Sequence, residues 1–148
     1  MTSMRAVIIQ ADTSLLSEAV AKPEVSAGEV LIRVEAAGVN RADLVQRAGL
    51  YPAPPGASDI LGLEVVGYVE AVGAGTTRYK IGDRVCALLP GGGYAEFAVA
   101  VEGSVLPVPK SMSAAAACCF PEALFSVWAN GVDRAGLTPG WSVLFPGP

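Results

Sequence analysis

The sequence predicts a mainly β fold with helical additions: a curled antiparallel β domain that closes on two helices. Two observations carry this. Short apolar runs separated by Gly and Pro turns recur from Met4 to Pro109. At Ser111 the composition changes, and Ala-rich, helix-favouring sequence takes over.

Taken in order, Met4 to Gln10 reads as the first strand. Ala11 to Ala27 reads as a loop containing a strand-like fragment, Glu18-Ala-Val20. Glu29 to Ala36 alternates Val30, Ile32 and Val34 against Leu31, Arg33 and Glu35, a strand whose outer face Leu31 leaves partly apolar. A short helix starts at Asn40, a residue suited to accept from an early helical N–H, and Gly49 ends it. Leu44 and Val45 suit its buried face. Tyr51-Pro-Ala-Pro-Pro-Gly56 cannot be regular structure.

Glu64 to Gly73 is again a strand, in which Gly67 marks a bulge or a close backbone approach. The glycine-spaced Gly73-Ala-Gly75 turn and the tight turn Ile81-Gly-Asp83 lead to the strand Arg84 to Leu89. Pro90-Gly-Gly-Gly93 connects to a strand from Tyr94 to Val99, and Pro107 and Pro109 hold Val105 to Pro109 extended. Ser113 is an N-cap for a helix from Ala114 to Cys119. Pro121 suits the first turn of a second helix, Glu122 to Asp133, which places Leu124, Val127, Trp128 and Val132 on one face. Gly136 stops that helix, and Trp141 to Phe145 reads as one more strand.

A chain of 148 residues can bury a real core. With 52% apolar and 16% charged residues, it has either a large core or faces that another domain or subunit covers. Net charge −4 without a basic run argues against nucleic acid, whose phosphates need clustered Lys and Arg. Ala114 to Trp128, the most apolar region, is broken by Pro121 and Glu122 and is too short to span a bilayer. No signal-peptide pattern follows Met1. Three cysteines, two of them adjacent, fit reduced cytoplasmic thiols better than a disulfide framework, and Cys118 and Cys119 read as buried small hydrophobes. The absence of histidine removes the commonest acid/base and metal ligand.

The candidate site lies between Ala37 and Gly67, where two polar residues, Asn40 and Glu64, stand at the ends of apolar strands. Asn40 also suits a plain helix cap, and Glu64 a satisfied buried carboxylate. The motifs Asn40-Arg-Ala-Asp43, Arg47-Ala-Gly-Leu-Tyr51-Pro52, Ile60-Leu-Gly-Leu-Glu64, Ile81-Gly-Asp83 and Leu88-Leu-Pro-Gly-Gly-Gly93 stand in this order. With Pro121-Glu-Ala123 and the Trp128 segment, they resemble the N-terminal catalytic domain of the medium-chain dehydrogenase/reductase superfamily. The resemblance is to its zinc-free quinone oxidoreductase branch, in particular the p53-inducible quinone oxidoreductase type.

That resemblance implies a GroES-like partial barrel over residues 1–135. It also implies that 136–148 is the start of a truncated nucleotide-binding (Rossmann) domain, whose first strand ends at Phe145. Where a glycine-rich pyrophosphate turn is expected, the chain reads Pro146-Gly-Pro148, and prolines lack the N–H that would bind phosphate. Metal-binding members of the fold would have ligands at the positions of Asn40, Leu63 and Glu122; Leu cannot ligate and Asn is a poor zinc ligand.

The activity implied is hydride transfer from NADPH to a quinone or enone-type carbonyl. Asn40 and Tyr51 would touch cofactor or substrate, Ser126 would meet the nicotinamide end, and Glu64 would orient groups beside the pocket. Val45 stands where relatives of the crystallin type have a second pocket tyrosine. Asp43 reads as structural, on the outer side of the helix or bound to nearby backbone, while Arg41 and Arg47 suit either cofactor or solvent. A homo-oligomer inactive without its second half is expected; the alternative is a non-catalytic product that associates with an intact subunit and modulates it.

Overall fold

A computed structural model describes residues 2–144 of the chain. A hairpin of β1 (Ser3–Ile9) and β2 (Leu15–Ala21) leads into a five-stranded antiparallel sheet. The sheet is built from β3 (Glu29–Ala37), β4 (Glu64–Val72), β5 (Arg84–Leu88), β6 (Phe97–Val101) and β7 (Val105–Pro107), in the order β6-β3-β4-β5-β7. Three helical pieces complete it: α1 (Arg41–Arg47), α2 (Ala114–Ala117) and α3 (Pro121–Val127). A 3-10 turn, Glu102–Ser104, links β6 to β7, and a π-helical stretch, Trp128–Arg134, continues α3.

Alternation in β3 and β4 decides where the core lies. Val30 and Ile32 of β3, Val65 and Val69 of β4, and Val85 and Ala87 of β5 pack in one cluster with Ala98, Ala100 and Val105. Each fully buried Val or Ile side chain contributes about 1.5–3 kcal/mol relative to exposure. Val66 is buried as well, because α2 packs on the other face, where Val66, Cys86, Ala117 and Cys118 form a second cluster; Leu31 is also buried but belongs to neither cluster.

Gly67 proves to be a close approach. It pairs with Val34, beside a register shift in β3, and a Cβ there would collide with the Arg33 carbonyl oxygen. The hairpin is tied to the sheet by a bridge between Ala6 and Ala95, with Val7 N–H donating to the Tyr94 carbonyl at 2.8 Å.

Several elements differ from the sequence reading. The 11–27 loop holds a seven-residue strand, β2, paired along its length with β1. The strand expected at Tyr94–Val99 is shifted: residues near Ala95 bridge to β1, and only Phe97–Val101 pairs with β3. In α1, Leu44 is 54% exposed and Asp43 is the buried residue, so the helix turns a carboxylate inward and its leucine outward.

The helix expected over Glu122–Asp133 exists in extent, but its second half is π-wound. Asn130 Nδ2 donates to the Ser126 carbonyl at 2.8 Å, taking the acceptor that its own backbone N–H would use. Ala135 N–H then reaches back five residues, to Asn130. The predicted apolar face of Leu124, Val127, Trp128 and Val132 is present but exposed. Trp141–Leu144 pairs with no strand among the described residues and is exposed; Phe145 and the Pro146-Gly-Pro148 departure lie outside the described residues. No helix is long and apolar enough to cross a membrane, among the described residues.

Candidate active site

The site grows from the point where β3 ends. Gly38 follows β3, and its N–H donates to the Glu64 carbonyl at 3.1 Å. A Cβ on residue 38 would run into the Glu64 carboxylate and come within 2.7 Å of the Cys118 carbonyl oxygen. Only glycine lets β3 turn here with a carboxylate and a helix end pressed against its backbone.

Two residues on, Asn40 stands at the N-cap of α1 in extended backbone geometry. Its carboxamide Nδ2 donates to Glu64 Oε1 at 2.8 Å. Its backbone N–H donates to Asp43 Oδ2 at 2.7 Å, the reciprocal half of a capping box. Its backbone carbonyl accepts from Asp43 N–H at 3.1 Å. The expected cap position is right, but Asn40 spends its amide group on Glu64.

Glu64, the first residue of β4, is 3% exposed. Its second oxygen, Oε2, accepts from the Glu122 N–H at 2.9 Å. Glu122 is the second residue of α3, so the carboxylate sits on that helix's unpaired N-terminal N–H groups, where negative charge is favourable. One carboxylate therefore ties the start of α1 to the start of α3. A carboxylate only accepts, which fixes the flip of the Asn40 amide: Nδ2 faces Glu64 and the amide oxygen turns away.

Asp43, 2% exposed, is a second buried carboxylate. Besides Asn40 N–H, it accepts from Gly62 N–H at 3.2 Å and from the Tyr94 hydroxyl at 3.0 Å. It does bind nearby backbone, as the sequence suggested, but from inside the fold and not from the outer side of the helix. Burial, and then the Asp43 carboxylate that accepts its proton, push the Tyr94 phenol well above its ordinary range, so it remains a donor. Tyr94 went unnoticed in the sequence, 51 residues from its partner. The Asn40–Asp43 cap spacing was the one available signal for the inward aspartate.

The Glu122 carboxyl is half-buried, and burial first, then the charges of Glu64 and Asp43, raise its pKa. Leu63 is half-buried and offers no donor atom. A neutral amide oxygen, which binds zinc poorly, an aliphatic side chain and one carboxyl are not a set that fits zinc. Tyr51 lies in the Pro-rich loop, 51% exposed, and bonds to neither Asn40 nor Glu64. Ser126 is exposed on α3 and lines a different, apolar hollow of about 490 Å³ with Val127, Val132 and Leu137. Arg47 Nε donates to the Thr13 carbonyl at 2.7 Å, tying α1 to the β1–β2 turn, and Arg41 is exposed.

Cys86 and Cys118 are buried and Cys119 is exposed, because α2 ends at Ala117 and the chain turns outward. The reading of both adjacent cysteines as buried is thus corrected for Cys119. Burial and the neighbouring Cys119 thiol push Cys118 up to about 11, and burial raises Cys86.

The alcohol dehydrogenase GroES-like domain family matches residues 26–110. The synaptic vesicle membrane protein VAT-1 homolog of Danio rerio is 36% identical over 123 residues, 83% of this chain and 25% of that protein. The quinone oxidoreductase of Rattus norvegicus is 38% identical over 98 residues, 66% of this chain and 30% of its own length. Among solved structures, the human VAT-1 homolog-like protein superposes with a TM-score of 0.82 at 34% identity, covering 94% of this chain and 46% of that one. A quinone oxidoreductase of Pseudomonas syringae gives 0.75 at 30%, covering 90% and 42%. The chain spans about a quarter to a third of these curated relatives and less than half of the solved chains.

Proposed function

The chain belongs to the alcohol dehydrogenase GroES-like domain family, and from that premise we propose that it is the substrate-side half of a zinc-independent, NADPH-dependent quinone oxidoreductase. The reaction is hydride transfer to a quinone or enone-type carbonyl. The observation that carries this reading is the Asn40–Glu64 hydrogen bond, which commits the residue at the family's first ligand position to a carboxylate. The likeness to the rat and Pseudomonas quinone oxidoreductases supports the same reading. We place the domain boundary near residue 135, with 136–148 opening a nucleotide-binding unit, and the working enzyme in the cytoplasm as a homo-oligomer.

Bound reduced nicotinamide supplies the hydride. The chain's own groups position and polarise. Glu64 holds the Asn40 amide in one orientation, so that its oxygen is presented away from the carboxylate to accept from the cofactor's or substrate's donor. Tyr51, with an exposed phenol, donates to the oxygen that gains charge as the carbonyl is reduced. Ser126 supplies a hydroxyl towards the nicotinamide end. Glu64 is a positioning residue in this scheme, since both its oxygens face protein N–H groups.

These groups fit only the nicotinamide end of a dinucleotide. A few contacts at about 1 kcal/mol net each do not exceed the ordering cost of a flexible ligand. The isolated chain therefore binds NADPH at millimolar strength or weaker, about −4 kcal/mol or less favourable, and does not turn over quinone. The test joins the chain, after Leu144, to the nucleotide-binding half of the rat enzyme. NADPH fluorescence should show binding, and quinone reduction should appear and resist chelators. Micromolar NADPH binding by the isolated chain, or activity of the fusion that requires zinc, would overturn the proposal.

A further inference from the structure

Cys118 and Cys119 place their sulfurs 3.9 Å apart at the end of α2. Both thiols also converge on one acceptor, the Ala115 carbonyl oxygen, at 3.4 Å and 3.5 Å. One sulfur is buried and the other is exposed. The third cysteine, Cys86, is buried on β5 and has no part in this sulfur–carbonyl cluster. Two sulfurs near contact, one of them open to solvent, can be bridged by a single atom that arrives from outside.

A direct disulfide is the poorer outcome. The two residues are neighbours joined by a trans peptide, which holds their Cα atoms about 3.8 Å apart, whereas ordinary disulfides need roughly 4.4–6.8 Å. An inserted atom that bonds both sulfurs relieves that constraint. Thiolate chemistry is also disfavoured, because Cys118 is held protonated, its pKa pushed up to about 11 by burial and its neighbour. The ligand that suits the pair is one that condenses with neutral thiols.

We infer that Cys118 and Cys119 form a vicinal dithiol site for a trivalent arsenical, bound through both sulfurs. The reaction is a condensation with the dihydroxy form, R–As(OH)₂. Two As–O bonds break and two As–S bonds form, and each oxygen leaves as water with one thiol proton. Arsenic stays trivalent, and nothing is oxidised or reduced. Exposed Cys119 makes the first bond, and Cys118 closes the ring.

The experiment treats the native chain with one equivalent of phenylarsine oxide in excess glutathione and reads intact mass. Closing the second bond within one molecule raises retention on the order of a hundredfold over a single As–S bond. One phenylarsine group per chain should therefore survive the monothiol and be removed by dimercaptopropanol. Cys119→Ser should lose the adduct, and because that side chain is exposed its fold is not at risk. Cys118→Ala should lose it too, while Cys86→Ser should keep it. Retention of the adduct in Cys119→Ser, or a wild-type chain that takes the arsenical only after unfolding in urea, would overturn the inference.

Discussion

Asp43 and Glu64 are buried carboxylates, and neither joins a salt bridge with Lys or Arg among the described residues. What keeps them inside is a set of aimed N–H and O–H donors, and a buried anion that loses its donors is expensive. Asp43→Ala would strand Gly62 N–H, Asn40 N–H and the Tyr94 hydroxyl, and should lower stability by about 2–4 kcal/mol; urea unfolding measures it. Tyr94→Phe removes one donor and should cost about 1 kcal/mol. Glu122 predicts a pH effect. Its raised pKa means that the folded chain holds that proton more tightly than the unfolded chain, so its favourable contribution is full at low pH and fades as pH rises through the folded value. Glu122→Gln should therefore raise the melting temperature at neutral pH, and the gain should vanish below the ordinary glutamate range. Alkylation under native conditions should reach Cys119 first, with Cys118 and Cys86 reacting more slowly. The place of Asn40, between the end of a strand and the start of a helix, was legible. The inward turn of Asp43 was not, because its partners at Gly62 and Tyr94 are distant in sequence and a helix pattern counts only apolar residues.

At the scale of elements, periodicity located β3 and β4 almost to the residue, since one face of each is fully apolar and a one-residue slip would expose it. It caught only the Glu18–Val20 fragment of β2, whose Leu15–Ala21 run is mostly exposed and is defined by its ladder to β1 instead of by burial. It also gave α3 a single apolar face, and among the described residues that face is exposed. The Ser113 cap of α2, by contrast, was readable and is present, with Oγ accepting from Ala116 N–H at 3.2 Å. Ser113→Ala should cost about 1 kcal/mol. Gly67→Ala should be more damaging than any surface change in β4, because its methyl group would separate β3 from β4 at the Arg33 carbonyl. A loss of both strands' amide protection in hydrogen exchange would display it.

For the whole molecule, the exposed side of α3 and its π-wound continuation is the main unfinished surface. Trp128 is 56% exposed and borders an apolar hollow of about 350 Å³ with Leu106, Leu124 and Phe125. Apolar surface left open in this way favours association. Trp128→Glu should move the isolated chain towards monomer in sedimentation velocity, without loss of secondary structure. The central claim, however, concerns the Asn40 amide that Glu64 holds in place. It is tested most directly by the kcat for quinone reduction of the fusion enzyme bearing Asn40→Ala, compared with its parent. The account predicts a fall on the order of ten- to a hundredfold, as for loss of one positioned polar group, beside a stability loss of about 1–3 kcal/mol from the donor that buried Glu64 gives up. An unchanged kcat in a folded, NADPH-binding fusion would contradict it.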